Sequence, residues 1–222
     1  MIDWPALSLS LRLATTTTLV LVVLAQPLAA WLAFFQSTAT RLVRTLIALP
    51  LVLPPTVLGY YMLHVASPAS MAGSLWQSIL GKPLAFSFEG LVLATVVTNL
   101  PVMVLPAAAA SSGVDRRLID VARTLGRPWP VIYARVVLPL AWPGVLAGAA
   151  MTFAHCLGEF GVVLMIGGSI PGETRTASIS VYESVQVMDH ASAGRMSAIL
   201  LAVAFAALLA STWPRSRWRI PA

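Results

Sequence analysis

The sequence predicts an all-α protein that forms a polytopic transmembrane helical bundle. Hydrophobic residues make up 58% of the 222 residues and charged residues only 10%, whereas soluble domains contain roughly 45–50% and about 25%. Five apolar stretches reach the roughly 20 residues that a helix needs to cross a bilayer, at about 8–35, 43–66, 88–111, 140–167 and 195–213. We therefore expect residues 1–222 to form one membrane domain with five spans.

Composition also excludes several kinds of site. Cys156 is the only cysteine, so the chain cannot form an intrachain disulfide or a thiolate metal cluster. The net charge is +6, but the arginines lack the interleaved aromatic residues of a base-stacking surface. We expect a lipid bilayer around the chain, with no metal site and no nucleic-acid partner.

The positive charges predict the orientation. Ten of the fourteen Lys and Arg residues fall in three alternate connections or ends, namely Arg41 and Arg44; Arg116, Arg117, Arg123, Arg127 and Arg135; and Arg215, Arg217 and Arg219. Positive charge favours the cytoplasmic side, which places the N-terminus outside and the C-terminus in the cytoplasm. Residues 1–30 lack the basic region that precedes a cleaved signal peptide, so we interpret them as part of the first span. The connection 67–87 is expected to contain a short amphipathic helix.

Prolines predict irregular backbone in the second span. Pro50, Pro54 and Pro55 each remove a backbone donor and clash with the preceding turn, so this span should be kinked or locally unwound. Such backbone survives at membrane depth where it is packed in protein or faces a water-filled cavity, and the sequence leaves both readings open. Asn99 and Pro101 in the third span place a polar group beside another missing donor.

The loop between the third and fourth spans predicts a compact helix-turn-helix. Asp115 is suited to cap a short helix, and Gly126 to end it. Pro128 and Pro130 bracket a turn into a second helix that leads to Leu138 and Pro139. One apolar stripe at i, i+3, i+4 and i+7 is formed by Leu118, Val121, Ala122 and Leu125. Residues 112–139 are thus expected to project into the cytoplasm and dock on another protein.

The same loop carries the spacing of a known motif. Asp120-Val121-Ala122, three residues, Gly126, nine residues, then Val136-x-Leu138-Pro139 resembles the cytoplasmic EAA loop of ABC-importer permeases, E-A-A-x3-G-x9-I-x-L-P. That resemblance implies contact with an ATPase through Asp120, Val121, Ala122, Leu125, Gly126, Leu138 and Pro139. Asp120 and Val121 depart from the usual Glu and Ala, which alters the size of the contact while the negative charge is kept.

The chain lacks the motif of a nucleotide-binding motor. Its only lysine, Lys82, follows Gly81 but precedes Pro83, and Trp76 stands where the first glycine of G-x-x-x-x-G-K-[ST] belongs. We therefore expect a protein that is not an enzyme and has no cofactor of its own. ATP and magnesium would be bound by a partner ATPase.

Two further stretches narrow the resemblance. Gly158-Glu159-Phe160-Gly161 and Ile170-Pro171-Gly172-Glu173-Thr174-Arg175-Thr176, together with residues 49–60, are similar to the molybdate-importer permeases. The resemblance implies a type-I ABC-importer permease fold (MetI-like) in the bacterial inner membrane. It also implies two ATPase subunits, a periplasmic or extracellular oxyanion-binding protein and a second permease copy.

Glu159 is the ionisable residue expected to mark the translocation path. Ionisable side chains inside a span usually face the bundle interior or a pore, and His155 lies one turn earlier, where the two side chains can share a hydrogen bond. A carboxylate repels an oxyanion, so Glu159 is expected to hold Arg175 or a backbone donor. A gate and a satisfied polar pair both remain open. The candidates for path or gate are Glu159, Gly158, Gly161, His155, Asn99, Pro54, Pro55 and Arg175.

Other functions remain as alternatives. Tungstate matches molybdate closely in size and charge, and sulfate or thiosulfate permeases share the Gly-Glu-Phe-Gly element. An ion-driven secondary transporter would show repeated halves with matching broken helices and several buried ionisable residues, whereas the halves of this chain do not match. A noncatalytic membrane scaffold would not need the spacing of the coupling loop.

Overall fold

The computed structural model describes residues 2–212, and all regular secondary structure within them is helical. The helices are α1 (Trp4–Phe34), α2 (Thr38–Val52), α3 (Pro55–Ala66), α4 (Met71–Leu80), α5 (Phe88–Ser112), α6 (Arg116–Thr124), α7 (Trp129–Ile132), α8 (Leu138–Gly158), α9 (Gly161–Gly167), α10 (Ala177–Gln186) and α11 (His190–Thr212). A π-helical segment, Tyr133–Val137, joins α7 to α8. The expected short helix in the connection 67–87 is confirmed by α4.

Among the described residues, four helices are long and apolar enough to cross a membrane: α1, α5, the continuous stretch Trp129–Gly158, and α11. The count rises to five if α2 and α3 together form one span. The expectation of an all-α bundle is therefore confirmed. The last residue of the predicted fifth span and the basic cluster Arg215, Arg217 and Arg219 lie outside the described residues.

Helices α1, α5 and α8 form the centre of the bundle, and α11 packs on α8. Leu21, Met103 and Val145 are fully buried where the three central helices meet. Gly144 and Gly148 of α8 allow its close approach to α5. A Cβ atom on Gly144 would lie 2.2 Å from the Cβ of Ala110, so a larger residue there would push the helices apart.

The second predicted span is broken, as its prolines led us to expect. Between Val52 and Pro55 the chain turns so that α2 and α3 are bent by 111°. Pro55 occupies the first turn of α3, where its missing N–H has no partner to lose. Helix α5, by contrast, continues without a break through Pro101. Of the two proline-containing sites, only the α2–α3 junction is therefore unwound.

The fourth predicted span differs most from the structure. Residues 140–167 were expected to form one helix, but the helix begins at Trp129 and ends at Gly158. At this end Glu159 has an extended backbone, and its carbonyl accepts a 2.6 Å hydrogen bond from the hydroxyl of Ser178. After this break, α9 packs against α3. The two interrupted helices, α2–α3 and α8–α9, therefore meet where α3 packs against α9.

Candidate functional site

A cavity of about 610 Å³ lies where the two interrupted helices meet. It is lined by Pro50, Leu51, Leu53, Pro55, Thr56, Leu58, Thr98, Ala154, His155, Gly158, Glu159, Phe160, Gly161 and Val162. The lining contains no lysine or arginine among the described residues, so His155 is its only basic side chain. The unwound backbone predicted from the prolines thus borders a cavity, as irregular backbone within a membrane protein must unless protein surrounds it.

Three polar side chains from α5, α8 and the α8–α9 break converge at this cavity. The Nδ1 atom of His155 lies 3.0 Å from the Oδ1 of Asn99 and 3.6 Å from the Oε2 of Glu159. Asn99 is fully buried, and its Nδ2 donates to the backbone carbonyl of Thr95 at 2.9 Å and to the hydroxyl of Thr98 at 3.1 Å. Because the Asn99 oxygen can only accept, Nδ1 of His155 carries the proton in this hydrogen bond. The imidazole is thereby fixed with its other nitrogen free for a second partner.

Glu159 lines the same cavity as His155 but is much less accessible. Its side chain is 7% exposed, against 49% for that of His155. The imidazole of His155 is therefore the more accessible of these two side chains in the cavity lining. The expected contact of Glu159 with a backbone donor stays a prediction.

Two glycines allow α3 and α9 to pack closely beside the cavity. A Cβ atom on Gly161 would lie 2.8 Å from the Cβ of Pro55, and one on Gly59 would lie 2.8 Å from the Cβ of Met165. A Cβ atom on Gly158 would meet nothing within 4 Å. Gly161 therefore has a steric reason to be glycine that Gly158 lacks.

Most of the predicted path residues come together here, and one does not. Pro55, His155, Gly158, Glu159 and Gly161 line the cavity, Asn99 reaches it through His155, and Pro54 precedes α3 at its edge. Sequence reasoning missed Thr56, Thr98 and Phe160, although Thr98 adjoins Asn99 and Phe160 lies inside the Gly-Glu-Phe-Gly element.

The expected contact between Glu159 and Arg175 is wrong. The guanidinium of Arg175 instead lies 2.7 Å from Glu183 and 3.5 Å from Asp3. Asp3 also accepts hydrogen bonds from the backbone N–H of Ala6 at 3.1 Å and the hydroxyl of Ser180 at 3.1 Å. Arg175 does not line the cavity; through Asp3 and Glu183 it ties the start of α1 to α10.

Helix α6 has two different apolar faces. Ile119 and Ala122 are buried at 3% and 9% exposure, whereas Leu118, Val121 and Leu125 are exposed at 44%, 60% and 72%. The predicted single stripe is thus wrong for Ala122, since its side faces the rest of the chain together with Ile119. The carboxylate of Asp115 accepts a hydrogen bond from the backbone N–H of Arg117 and caps the helix, as expected.

The turn after α6 follows its sequence prediction. Gly126 has φ of +70°, a left-handed conformation that favours glycine, and its N–H donates to the carbonyl of Arg123 at 2.9 Å. The next helix begins at Trp129, as the flanking prolines predict. Leu138 and Pro139 do not end it, because the helix widens into the π-helical segment just before Pro139, where the ring would crowd a regular turn.

Comparison with known proteins identifies the family that this chain resembles. Residues 25–214 match the family described as "Binding-protein-dependent transport system inner membrane component". The chain is 42% identical over 209 residues to "Molybdenum transport system permease protein ModB" of Azotobacter vinelandii, covering 94% of this chain and 92% of that protein. It is 35% identical over 216 residues to the protein of the same name from Escherichia coli (strain K12), covering 95% and 93%.

Solved structures give the same fold. A structure titled "Inward facing conformations of the MetNI methionine ABC transporter: CY5 native crystal form" superimposes with a TM-score of 0.75 at 15% identity, covering 95% of this chain and 93% of the other. A bacterial ABC transporter involved in the import of the acidic polysaccharide alginate gives 0.77 at 17% identity, covering 97% and 79%. The expected type-I importer permease fold is confirmed, and the protein is a multi-pass membrane protein. The chain belongs to the family of binding-protein-dependent transport system inner membrane components.

Proposed function

We propose that this chain is the permease subunit of an ABC importer that moves molybdate inward across the bacterial inner membrane. The observation that carries the proposal is its 42% identity, over nearly the full length of both chains, to a molybdenum transport permease. Energy would come from ATP hydrolysed on two separate ATPase subunits, which would also hold the nucleotide and its magnesium ion. The permease itself has no catalytic residue in this proposal.

The exposed apolar face of α6 supports a role in coupling. Leu118, Val121 and Leu125 present apolar side chains to solvent beside the exposed Asp120. An apolar helix face flanked by charge suits a groove on another protein. We assign the contact with the ATPase to this face and to the turn at Gly126. Ala122, Leu138 and Pro139 would act indirectly, because they help position α6 against the bundle.

The cavity at the two interrupted helices is the proposed path for the anion. Its walls are mainly apolar, with the hydroxyls of Thr56 and Thr98 and the imidazole of His155 as polar points of contact. Such a lining binds weakly, which suits passage rather than storage, since conduction requires a site that releases its cargo. Movement of α3 and α9, which are packed through Gly59 and Gly161, would open or close it.

The remaining partners follow from the same assignment. A second copy of the chain would complete the wall of the path, and a binding protein outside the cell would deliver the oxyanion. The basic residues Arg116, Arg117, Arg123, Arg127 and Arg135 would lie on the cytoplasmic side with the ATPases, leaving the N-terminus outside and the C-terminus inside.

Stimulated ATP hydrolysis tests this function. The permease would be reconstituted in lipid vesicles with its ATPase and its binding protein, and hydrolysis would be followed while molybdate, tungstate or sulfate is titrated. Stimulation by molybdate, lost in Gly126→Val and retained in Gly126→Asn, is expected because asparagine tolerates the left-handed conformation better than a branched residue. Stimulation by sulfate alone would reassign the cargo. No stimulation by any of the three would contradict the proposal.

A further inference from the structure

Two grooves adjoin where α1 ends and the stretch Trp129–Gly158 begins. The first, of about 380 Å³, is lined by Gln26, Pro27, Ala30, Trp31, Phe35, Trp129, Pro130 and Tyr133. The second, of about 290 Å³, is lined by Phe34, Phe35, Arg123, Arg127, Trp129 and Ile132. Because they share Phe35 and Trp129, they lie side by side. We call the pair the aromatic groove.

We expect the aromatic groove to lie at a membrane–water interface. Helix α1 ends at Phe34, and the stretch Trp129–Gly158 begins at Trp129. Both walls of the groove therefore belong to the same end of the spans. Phe34 and Trp129 pack edge to face with ring centroids 5.0 Å apart. Tryptophan and tyrosine are typical of the depth at which lipid headgroups meet the hydrocarbon.

The first groove offers a surface suited to an acyl chain. Gln26 and Tyr133 are already hydrogen-bonded, since the hydroxyl of Tyr133 donates to Oε1 of Gln26 at 3.2 Å and Nε2 of Gln26 donates to the carbonyl of Val22 at 2.9 Å. The rest of its lining is apolar or aromatic. A hydrocarbon chain could therefore cover Gln26 and Tyr133 without leaving either polar side chain unpaired.

The second groove carries positive charge that the protein neutralises only in part. Arg127 is exposed and has no ion pair within residues 2–212. The guanidinium of Arg123 lies 5.5 Å from the ring centroid of Trp129. Its ion pair with Asp120 is 3.8 Å long and exposed, so it is weak. Two cations beside one carboxylate favour an anionic ligand.

We propose that the aromatic groove binds one anionic phospholipid, with an acyl chain along Trp31 and its phosphate beside Arg123 and Arg127. A phospholipid is the ligand that combines an anionic headgroup with an apolar chain at this depth, and basic pockets between membrane helices are suited to such headgroups. The bound lipid would brace α6 against α7, because Arg123 belongs to the first helix and Trp129 to the second.

Lipid retention in native mass spectrometry tests the proposal. The purified full-length chain would be equilibrated with equimolar phosphatidylglycerol and phosphatidylcholine, and the retained lipids counted. Several-fold enrichment of phosphatidylglycerol is expected in the wild type, with loss of that enrichment in Arg123→Gln/Arg127→Gln. The matched control is Arg116→Gln/Arg117→Gln, which removes the same charge from the other end of α6, outside the groove, and should keep the enrichment.

Three results would overturn the proposal. One is equal retention of both lipids by the wild type. Another is an equal loss in the two double variants, which would assign the effect to the general charge of the loop. The third would come from the same measurement on the complex with its ATPase: if assembly displaces phosphatidylglycerol and Arg123→Gln/Arg127→Gln weakens assembly, the groove is a protein interface.

Discussion

The imidazole of His155 donates its Nδ1 proton to the side-chain oxygen of Asn99 at 3.0 Å, which joins α8 to α5 beside the cavity. This contact fixes the direction of the only basic side chain in the cavity lining of the described residues. The geometry of the proposed anion path therefore depends on an amide that does not itself line the cavity.

Replacing Asn99 should test this dependence. Asn99→Leu keeps the bulk but removes the acceptor of the half-exposed His155, so we expect a loss of about 1 kcal/mol in stability and a several-fold loss of molybdate-stimulated ATP hydrolysis. Thr152→Val is the control, because that buried hydroxyl has no hydrogen-bond partner and its replacement by a methyl group should lower neither measurement. Equal effects of the two substitutions would contradict the assigned role of the hydrogen bond.

The two glycines of the Gly-Glu-Phe-Gly element should respond differently to alanine. Gly161→Ala places a Cβ atom 2.8 Å from the Cβ of Pro55, so we expect a loss of about 1–3 kcal/mol from overpacking. Gly158→Ala meets nothing within 4 Å and ends a helix, so it should leave stability unchanged or raise it slightly. Thermal unfolding of the purified variants in detergent measures both. If Gly158→Ala is the more damaging change, the close packing of α3 and α9 is not what requires glycine.

A charge on the exposed apolar face of α6 should uncouple the transporter. Val121→Asp is expected to lower stimulated ATP hydrolysis at least tenfold, because a carboxylate would have to be buried in the ATPase groove without a partner. Thr124→Asp is the matched control on the same helix. It lies nearer the C-terminus, where a negative charge disfavours the helix more, so any effect exerted through folding would be larger there. Uncoupling by Thr124→Asp alone would refute the docking face.

Arg175 should matter for stability more than for transport. Arg175→Gln removes the partner of Asp3 and Glu183, and we expect it to lower the free energy of unfolding by about 1–3 kcal/mol. Arg195→Gln, which loses one hydrogen bond to Ser192 on an exposed helix, is the control and should have little effect. If Arg175→Gln instead abolishes transport at unchanged stability, Arg175 belongs to the path after all.

Local signals were sufficient to predict much of this structure. Pro54 and Pro55 predicted the break in the second span, and Gly126 predicted the left-handed turn after α6, since both depend on backbone chemistry within a few residues. The break at Glu159 was not predictable in the same way. No proline marks it, and the Ser178 hydrogen bond that holds it comes from another part of the chain.

Which side of a helix faces the bundle also could not be predicted from the sequence. Leu118, Val121, Ala122 and Leu125 are similar in character, so periodicity alone groups them, whereas packing buries Ala122 with Ile119 and exposes the others. The partners of Arg175 were missed for a related reason. Asp3 is far from it in sequence, and Arg175 lies in the turn before α10, so neither ion pair follows the periodic spacing of one helix.

Uptake of radiolabelled oxyanion into vesicles tests the central claim most directly. The permease, its ATPase and its binding protein would be assembled in vesicles with ATP on the side of the ATPase, and accumulated molybdate and sulfate compared. We predict ATP-dependent accumulation of molybdate that exceeds that of sulfate and is lost in Val121→Asp but retained in Thr124→Asp. Accumulation of sulfate in preference to molybdate, or accumulation of molybdate without ATP, would contradict the account of this chain as a molybdate permease driven through α6.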